Sequence, residues 1–346
     1  MSPAKRSTSQ DVAKLAGVSR TTVSFVLNQI DGVSISEATR KRVLKAAKKL
    51  NYHPNAAGRK LVSGKSDTLG LVLHQSPEQV FADAFLPRVI LGVEQAAMRL
   101  GFHVLLTQVD PKDKNGYARL IRENHVDGII LSGPMQDDEE IVRLHREGVP
   151  VMLLGQLPDS NLPFVDVNAT SGAQTAVKHL IELGHRRIAM ITNAPLSYTS
   201  SQQRRDGYLQ ALRNADLNAD PVLIKEGNYT PASGYRAMSE LLNQSPRPTA
   251  VFIASDVVAM GAILAIRRAS LQLPDDVALV GFDDIPLAEY FDPPLTTIRL
   301  PAFGLGLAAA ERVIQLIQGK GLDSNEVLME TELIVRESTV RNLTTA

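Results

Sequence analysis

The chain has 346 residues, 44% of them hydrophobic, which is enough for two or three packed domains. It has no cysteine, which excludes disulfides, thiolate catalysis and cysteine-ligated zinc. Its 37 Lys and Arg balance its 37 Asp and Glu, but residues 1–65 hold 13 basic and 3 acidic side chains and the remainder 24 and 34. A basic segment on an acidic body suits a polyanion partner for the N-terminal part alone. Residues 1–10 carry no apolar signal-peptide core, and no window approaches the ~18 uninterrupted apolar residues of a membrane helix. A soluble, cytoplasmic protein with no membrane partner is expected.

After a polar arm, Met1–Ser7, the stretch Thr8–Asn28 reads as two short helices joined by a tight turn. Val12, Leu15 and Ala16 make one apolar helical face. Thr8 caps this helix and Asp11, three residues on, closes a capping box. Gly17 ends it in the left-handed conformation that a C-cap needs. Ser19 caps the second helix, whose apolar face is Val23, Val26 and Leu27. Its other face carries Arg20, Thr21, Ser24 and Asn28. Two helices with Gly in the turn, the second polar outside, have the layout of a DNA-reading helix-turn-helix; an ordinary helical hairpin is the alternative. A loop, Gln29–Ile35, leads to a third helix capped by Ser36 and ending near Leu50, with Val43, Ala46, Ala47 and Leu50 inward. Pro54 then breaks the chain, and Asn55 caps a very short helix containing Arg59, Lys60 and Leu61. Gly58 costs that helix about 1 kcal/mol relative to Ala, so a partner chain and DNA are needed to fold it. Gly64, Lys65 and Ser66 do not make a phosphate-binding loop, because Arg59 and a helix precede them where that motif needs Gly and a strand.

From Thr68 the pattern becomes apolar strands alternating with amphipathic helices. The first round has strands at 68–75, 102–108, 126–133 and 149–155, and the second begins near Phe164 with strands at 186–192, 221–227, 249–255 and 277–284. Helices Val89–Leu100, Asn115–Glu123, Asp138–Glu147, Ser171–Leu183, Gln202–Ala215, Ser233–Asn243, Ala259–Ala269 and Gly304–Gln318 intervene, and a last strand is expected at 331–338. Apolar strands of this kind belong to parallel sheets covered on both faces, and two rounds imply two similar lobes. Ligands of such sheets bind at the carboxyl ends of the strands, here between the lobes.

These motifs together resemble the LacI/GalR family of bacterial transcription regulators, over about Thr8 to Val340. The similarity is carried by DVAKLAGVSRTTVSFVLN (11–28), ATRKRVLKAAKKLNYHPNAAGRKL (38–61), HLIELGHRRIAMI (179–191), RRDGYLQAL (204–212), SDVVAMGA (255–262), VALVGFDD (277–284) and PPLTTIRLP (293–301). The resemblance implies an α/β chain: a three-helix headpiece (1–54), a hinge helix and linker (55–66), and a two-lobed periplasmic-binding-protein-like core of two doubly wound parallel sheets. The N-terminal lobe would be 67–166 with 300–326, and the C-terminal lobe 167–299 with 327–346. It further implies a homodimer that binds a near-palindromic double-stranded DNA operator on the bacterial nucleoid, without cofactor or metal. Arg20 and Thr21 would meet base edges, since Arg bonds guanine O6 and N7 together. Thr8, Ser19, Thr22, Ser24 and Asn28 would hold phosphates. Leu61 matches the hinge leucine that wedges between base pairs and kinks the duplex. Phe25 stands where the family usually has Arg and can contact a thymine methyl instead. Gly58 replaces the usual hinge Ala, and the loop Asp31–Ser36 is longer than is common.

For the effector, a sugar or sugar derivative, the resemblance implies Arg204 and Asp283 against hydroxyls and Tyr229 against an apolar sugar face. His74, Gln75 and Gln156 end core strands and are expected to face the cleft. Ser255, Leu300 and Gly155 replace a frequent Asn, Gln and Asp, so three polar partners are shortened or lost. A repressor of carbohydrate-related genes is the reading this supports. A solute-binding protein of a transporter shares the two-lobed body but needs a signal peptide and no basic headpiece. An enzyme using Asp283 and Asp284 as paired carboxylates lacks a nucleophile, a dinucleotide fingerprint and metal-ligand spacing. His185, at a helix end, suits the helix dipole rather than catalysis, and His179 carries no stronger signal.

Overall fold

The computed structural model describes residues 7–27, 33–52, 64–82, 84–110 and 113–340. Asn28, Gly58, Leu61 and the expected hinge helix lie outside them. The chain divides into two compact units, Met1–Ser66 and Asp67–Ala346.

The first unit contains α1 (Ser9–Ala16), α2 (Arg20–Leu27) and α3 (Glu37–Lys49). Local hydrogen bonds set each helix start. The Thr8 hydroxyl accepts from the Asp11 N–H, and the Asp11 carboxylate accepts from the Thr8 N–H at 2.8 Å. Ser19 Oγ accepts from Thr22 N at 3.0 Å, and Ser36 Oγ from Thr39 N at 3.3 Å. Gly17, at φ +66°, supplies the left-handed turn between α1 and α2. Val12, Ala13, Ala16, Val23, Val26, Val43, Ala46 and Ala47 form the core. Leu15, expected on the inner face of α1, is instead 46% exposed, because Ala13 takes the inward place beside Val12 and Ala16.

The second unit opens with β1 (Thr68–Leu73), α4 (Pro77–Ala82), α5 (Leu86–Arg99), β2 (His103–Gln108), α6 (Gly116–Arg122), β3 (Gly128–Ser132), α7 (Glu139–Arg146), β4 (Val151–Leu154) and β5 (Phe164–Val167). It continues through α8 (Ala169–Glu182), β6 (Ile188–Ile191), α9 (Thr199–Asn214), β7 (Ile224–Lys225), α10 (Pro231–Leu242), β8 (Ala250–Ile253), α11 (Asp256–Arg268), β9 (Ala278–Asp283) and β10 (Thr296–Arg299). It closes with α12 (Ala302–Ile317), β11 (Glu326–Met329) and β12 (Glu332–Ile334). The strands make two six-stranded sheets, in orders β11-β5-β4-β3-β1-β2 and β12-β10-β9-β8-β6-β7. Every pairing is parallel except β10 with β12. Parallel strands need both faces covered, and β4, β8 and β9 are buried along their whole length, β3 all but its last residue.

The tail departs from the expected single strand at 331–338. Glu326–Met329 instead joins the first sheet beside β5, and only Glu332–Ile334 joins the second. The last crossing between sheets therefore falls after Met329, not at 327. In 221–227 a 3-10 turn, Pro221–Leu223, shortens the expected strand to Ile224–Lys225. Most helices that follow a strand start two or three residues earlier than their amphipathic pattern. Asn168 and Thr230 cap α8 and α10 by accepting from the N–H of Ser171 and Ser233.

Candidate functional site

In the first unit the exposed face of α2 carries the residues expected to read DNA. Arg20 and Thr21 are exposed, while Ser24 and Phe25 are half-buried at its edge. Thr22 is turned back to the Ser19 hydroxyl at 2.9 Å, so these two side chains serve the helix start. Thr8 does the same for α1.

In the second unit a cleft lies between the carboxyl ends of both sheets. It is lined from one lobe by Gln75, Phe85, Ser132, Leu154, Gly155 and Asp166, and from the other by Asn193, Ser200, Arg204, Tyr229, Ser255 and Asp283. Leu300 and Leu305 close its floor. The lobes touch across it. Pro134 O accepts from the Thr199 hydroxyl at 3.2 Å, Gln136 N–H donates to Ser197 O at 3.1 Å, and Gln79 Nε2 donates to Asn228 Oδ1 at 3.1 Å. The cavity holds about 110 Å³, below the ~300 Å³ at which small-molecule sites begin. The lobes therefore leave little free space between them.

Arg204 organises the polar wall. It projects from α9, is buried, pairs with Asp283 at 3.5 Å, donates to Ala254 O, and lies 4.1 Å over the Phe282 ring. A guanidinium serves here because its planar fork can stack and donate in several directions at once. Asp283 has φ +120° and Asp284 φ +51°, a backbone strain that concentrates at functional sites. Three side chains hold this turn. The buried Asp256 accepts from Ile285 N at 3.0 Å, and Arg299 and Arg336 grip Asp284 at 2.7 and 2.8 Å. Both carboxylates of the enzyme alternative are thus ion-paired.

Asp256 also accepts from the Thr297 hydroxyl at 2.7 Å. Burial pushes its carboxyl up to about 7, against the pull of these hydrogen bonds. A carboxyl raised by folding is ionised in the unfolded chain near pH 4 and in the folded one only near pH 7. Its contribution to stability is therefore present below pH 4 and is lost as the pH rises through 7. Asp256→Asn removes that titration and keeps an acceptor for Ile285 N. Its melting temperature relative to the native chain is expected to rise between pH 5.5 and 8.5. A constant difference across that range would show that Asp256 does not titrate there.

Of the eight residues expected at the effector site, Gln75, Arg204, Tyr229, Ser255, Asp283 and Leu300 line the cleft. His74 does not. In the bend that follows β1, Gln75 faces the cleft, whereas His74 turns into the lobe, 3.2 Å from both Asp138 and the Tyr117 hydroxyl. Gln156 also stays outside the lining, its amide donating to Asp166 Oδ2 at 2.9 Å. His179 and His185 hydrogen-bond Thr339 and Thr249, each at 3.0 Å. Asp166 and Asn193 were not anticipated, although both stand at or just past a strand's carboxyl end. Burial pushes the Asp166 carboxyl above its ordinary range, opposed by the Val167 N–H, the Gln156 amide and the Arg204 charge.

Residues 8–55 match the family model for bacterial regulatory proteins of the lacI family, and residues 177–339 match a periplasmic binding protein-like domain. The regulator CelR of Thermobifida fusca is 37% identical over 341 residues, covering 96% of this chain and 98% of its own. The chain belongs to the lacI family. A solved CelR–cellobiose complex matches at 36% identity and a TM-score of 0.74, over 96% of this chain and all of the other. The lac repressor dimer bound to operator and the anti-inducer ONPF matches at 30% identity and a TM-score of 0.83, over 97% and 100%. This lacI-family chain is a DNA-binding transcriptional regulator and not an enzyme. Among its described residues no helix is long and apolar enough to cross a membrane.

Proposed function

We propose that this regulator represses carbohydrate-related genes and that a sugar or sugar derivative binds between its lobes. The observation that carries the effector reading is the buried Arg204–Asp283 pair at the carboxyl ends of the second sheet, facing an apolar wall. A charged pair of this kind hydrogen-bonds hydroxyls strongly and directionally, and the Tyr229 ring supplies an aromatic face. The CelR–cellobiose complex, a relative over nearly the whole chain, supports a carbohydrate ligand. The chain then works in four parts: the headpiece (1–54), the hinge and linker (55–66), an N-terminal lobe (67–166 with 300 to Met329) and a C-terminal lobe made of the rest.

The regulator acts as a homodimer on the bacterial nucleoid. Each α2 enters the major groove of one half of a near-palindromic operator, with Arg20 and Thr21 on base edges and Phe25 beside them. Thr8, Ser19, Thr22, Ser24 and Asn28 set the backbone register, and Leu61 wedges the central minor groove. The effector favours one lobe arrangement over another by its differential affinity and so changes the spacing of the two hinges. The test is selection of genomic fragments by the purified protein over a range of salt, with and without sugars. Half-sites about one helical turn apart support the dimeric reading; enrichment without a shared sequence overturns it. On the selected operator, Arg20→Ala is expected to weaken binding by about 1–3 kcal/mol and relax one base position, with random duplex affected far less. Equal losses on both duplexes would make Arg20 a phosphate contact.

A further inference from the structure

The charge of the ligand can be read from the cleft. Three charged side chains line it among the described residues: Arg204, Asp283 and Asp166. Arg204 and Asp283 pair at 3.5 Å and offset each other. Asp166, at the carboxyl end of β5, has a neutral partner, the Gln156 amide at 2.9 Å. No second cation faces the cleft among the described residues, so with both carboxyls ionised its lining carries one net negative formal charge. Part of the wall is apolar: Phe85, Leu86, Val89, Leu300 and Leu305. Charge interactions are screened weakly there, so an added anion is penalised far more than in water.

Two further atoms say what the cleft lacks. Gln75 Oε1 and Arg204 Nε are buried, and neither has a hydrogen-bond partner among the described residues. An orphaned buried polar atom costs stability until something pairs with it. The missing partner must donate to Gln75, accept from Arg204, and tolerate or donate to a carboxylate. A hydroxyl group both donates and accepts, whereas a carboxylate or phosphate only accepts and would meet Asp166 with like charge.

We propose that Asp166 sets the charge of the effector: the cleft takes a neutral hydroxylated ligand and refuses its carboxylated or phosphorylated counterpart. This rests on the reading of the cleft as the effector site. Gln75 and Asp166 take hydroxyl protons from one side of the ligand, and Arg204 Nε donates to an oxygen on the other.

The test is calorimetric titration of the full-length protein with glucose and cellobiose as neutral probes, and glucuronic acid, cellobiouronic acid and glucose 6-phosphate as anionic ones. Asp166→Asn, which retains an acceptor for the Gln156 amide, and Arg204→Ala are titrated beside it. The proposal expects a neutral probe to bind the native chain at least tenfold more tightly than its acid, with the gap closing to under threefold in Asp166→Asn. Equal binding of neutral and acidic probes by the native chain overturns it without any variant. So does a gap that persists in Asp166→Asn, and so does binding by none of the neutral probes. Binding that Arg204→Ala leaves intact would instead remove the ligand from the cleft, and with it the effector-site reading beneath the proposal.

Discussion

Arg204→Ala is expected to destabilise the second unit by about 3–5 kcal/mol, the usual cost of removing one partner of a buried ion pair. It is also expected to shrink the ligand-induced rise in melting temperature at a fixed ligand concentration. The stability loss has a definite origin. Arg204 is 9% exposed and Asp283 7%, so deletion leaves a carboxylate in a poorly hydrated cleft without its guanidinium. The Ala254 carbonyl loses a donor and the Phe282 ring loses the cation stacked on it at 4.1 Å. The strained turn at Asp283 and Asp284 then keeps its contacts through Asp256, Arg299 and Arg336 but loses the guanidinium on Asp283. Loss of one charge-assisted hydrogen bond costs about 1.5–3 kcal/mol, so ligand affinity is expected to fall by roughly ten- to 150-fold. Arg204→Lys separates the two effects. A lysine keeps the positive charge beside Asp283 but cannot stack and fork as the guanidinium does. It should recover stability more fully than ligand affinity. Thermal unfolding with and without a ligand that stabilises the native chain checks both. An Arg204→Ala protein that melts with the native one would mean that the Asp283 turn stands without the pair.

The parts of this molecule that were legible in advance are those whose physics is local. The caps at Thr8, Ser19 and Ser36 each depend on a hydrogen bond three residues long, and the turn at Gly17 depends on one dihedral angle. The alternation of apolar strands and helices forecast two parallel sheets for the same reason. What was missed depends on neighbours distant in the chain. Nothing in VLMETEL marks a crossing between sheets: no Gly or Pro interrupts it, and the division into β11 and β12 is made by which sheet edge stands open. The early starts of α9 and α11 were hidden because Thr199, Ser201 and Asp256 face buried partners rather than water, which erases the amphipathic signal in the first turn. At the site, the rule that ligands meet strand carboxyl ends found Gln75, while Arg204 and Asp283 came from the family resemblance. The rule also selected His74, which distant partners, Asp138 and Tyr117, turn into the lobe from the bend after β1, and a strand pattern read as plain core concealed Asp166.

Gly261→Ala is expected to destabilise the second unit, although alanine is the better helix former. A β-carbon at 261 would lie 1.7 Å from the Pro231 carbonyl oxygen, 2.6 Å from its carbon and 2.7 Å from the Tyr235 nitrogen. All three are backbone atoms of α10, so no side chain can swing aside. Gly234 is the reciprocal contact, its added β-carbon falling 1.9 Å from the Val258 carbonyl oxygen. The two helices meet backbone to backbone and must separate to admit a methyl group. Separation would loosen the core that Met238, Leu241, Val258, Ala262 and Ile266 build beneath them. Overpacking of this kind typically costs 1–3 kcal/mol and occasionally more. The helix-propensity gain of about 1 kcal/mol opposes it, but a clash with rigid backbone on three atoms is expected to win. The effect should reach the cleft, because α11 begins at Asp256, the residue that holds the Asp283 turn through Ile285. A net loss of about 2 kcal/mol or more, with weakened ligand response, is the expected result. Gly321→Ala is the control: a β-carbon there meets nothing within 4 Å and the backbone is not left-handed, so its melting temperature should stay near that of the native chain. If the two variants melt together, close helix approach is not what position 261 requires of its residue.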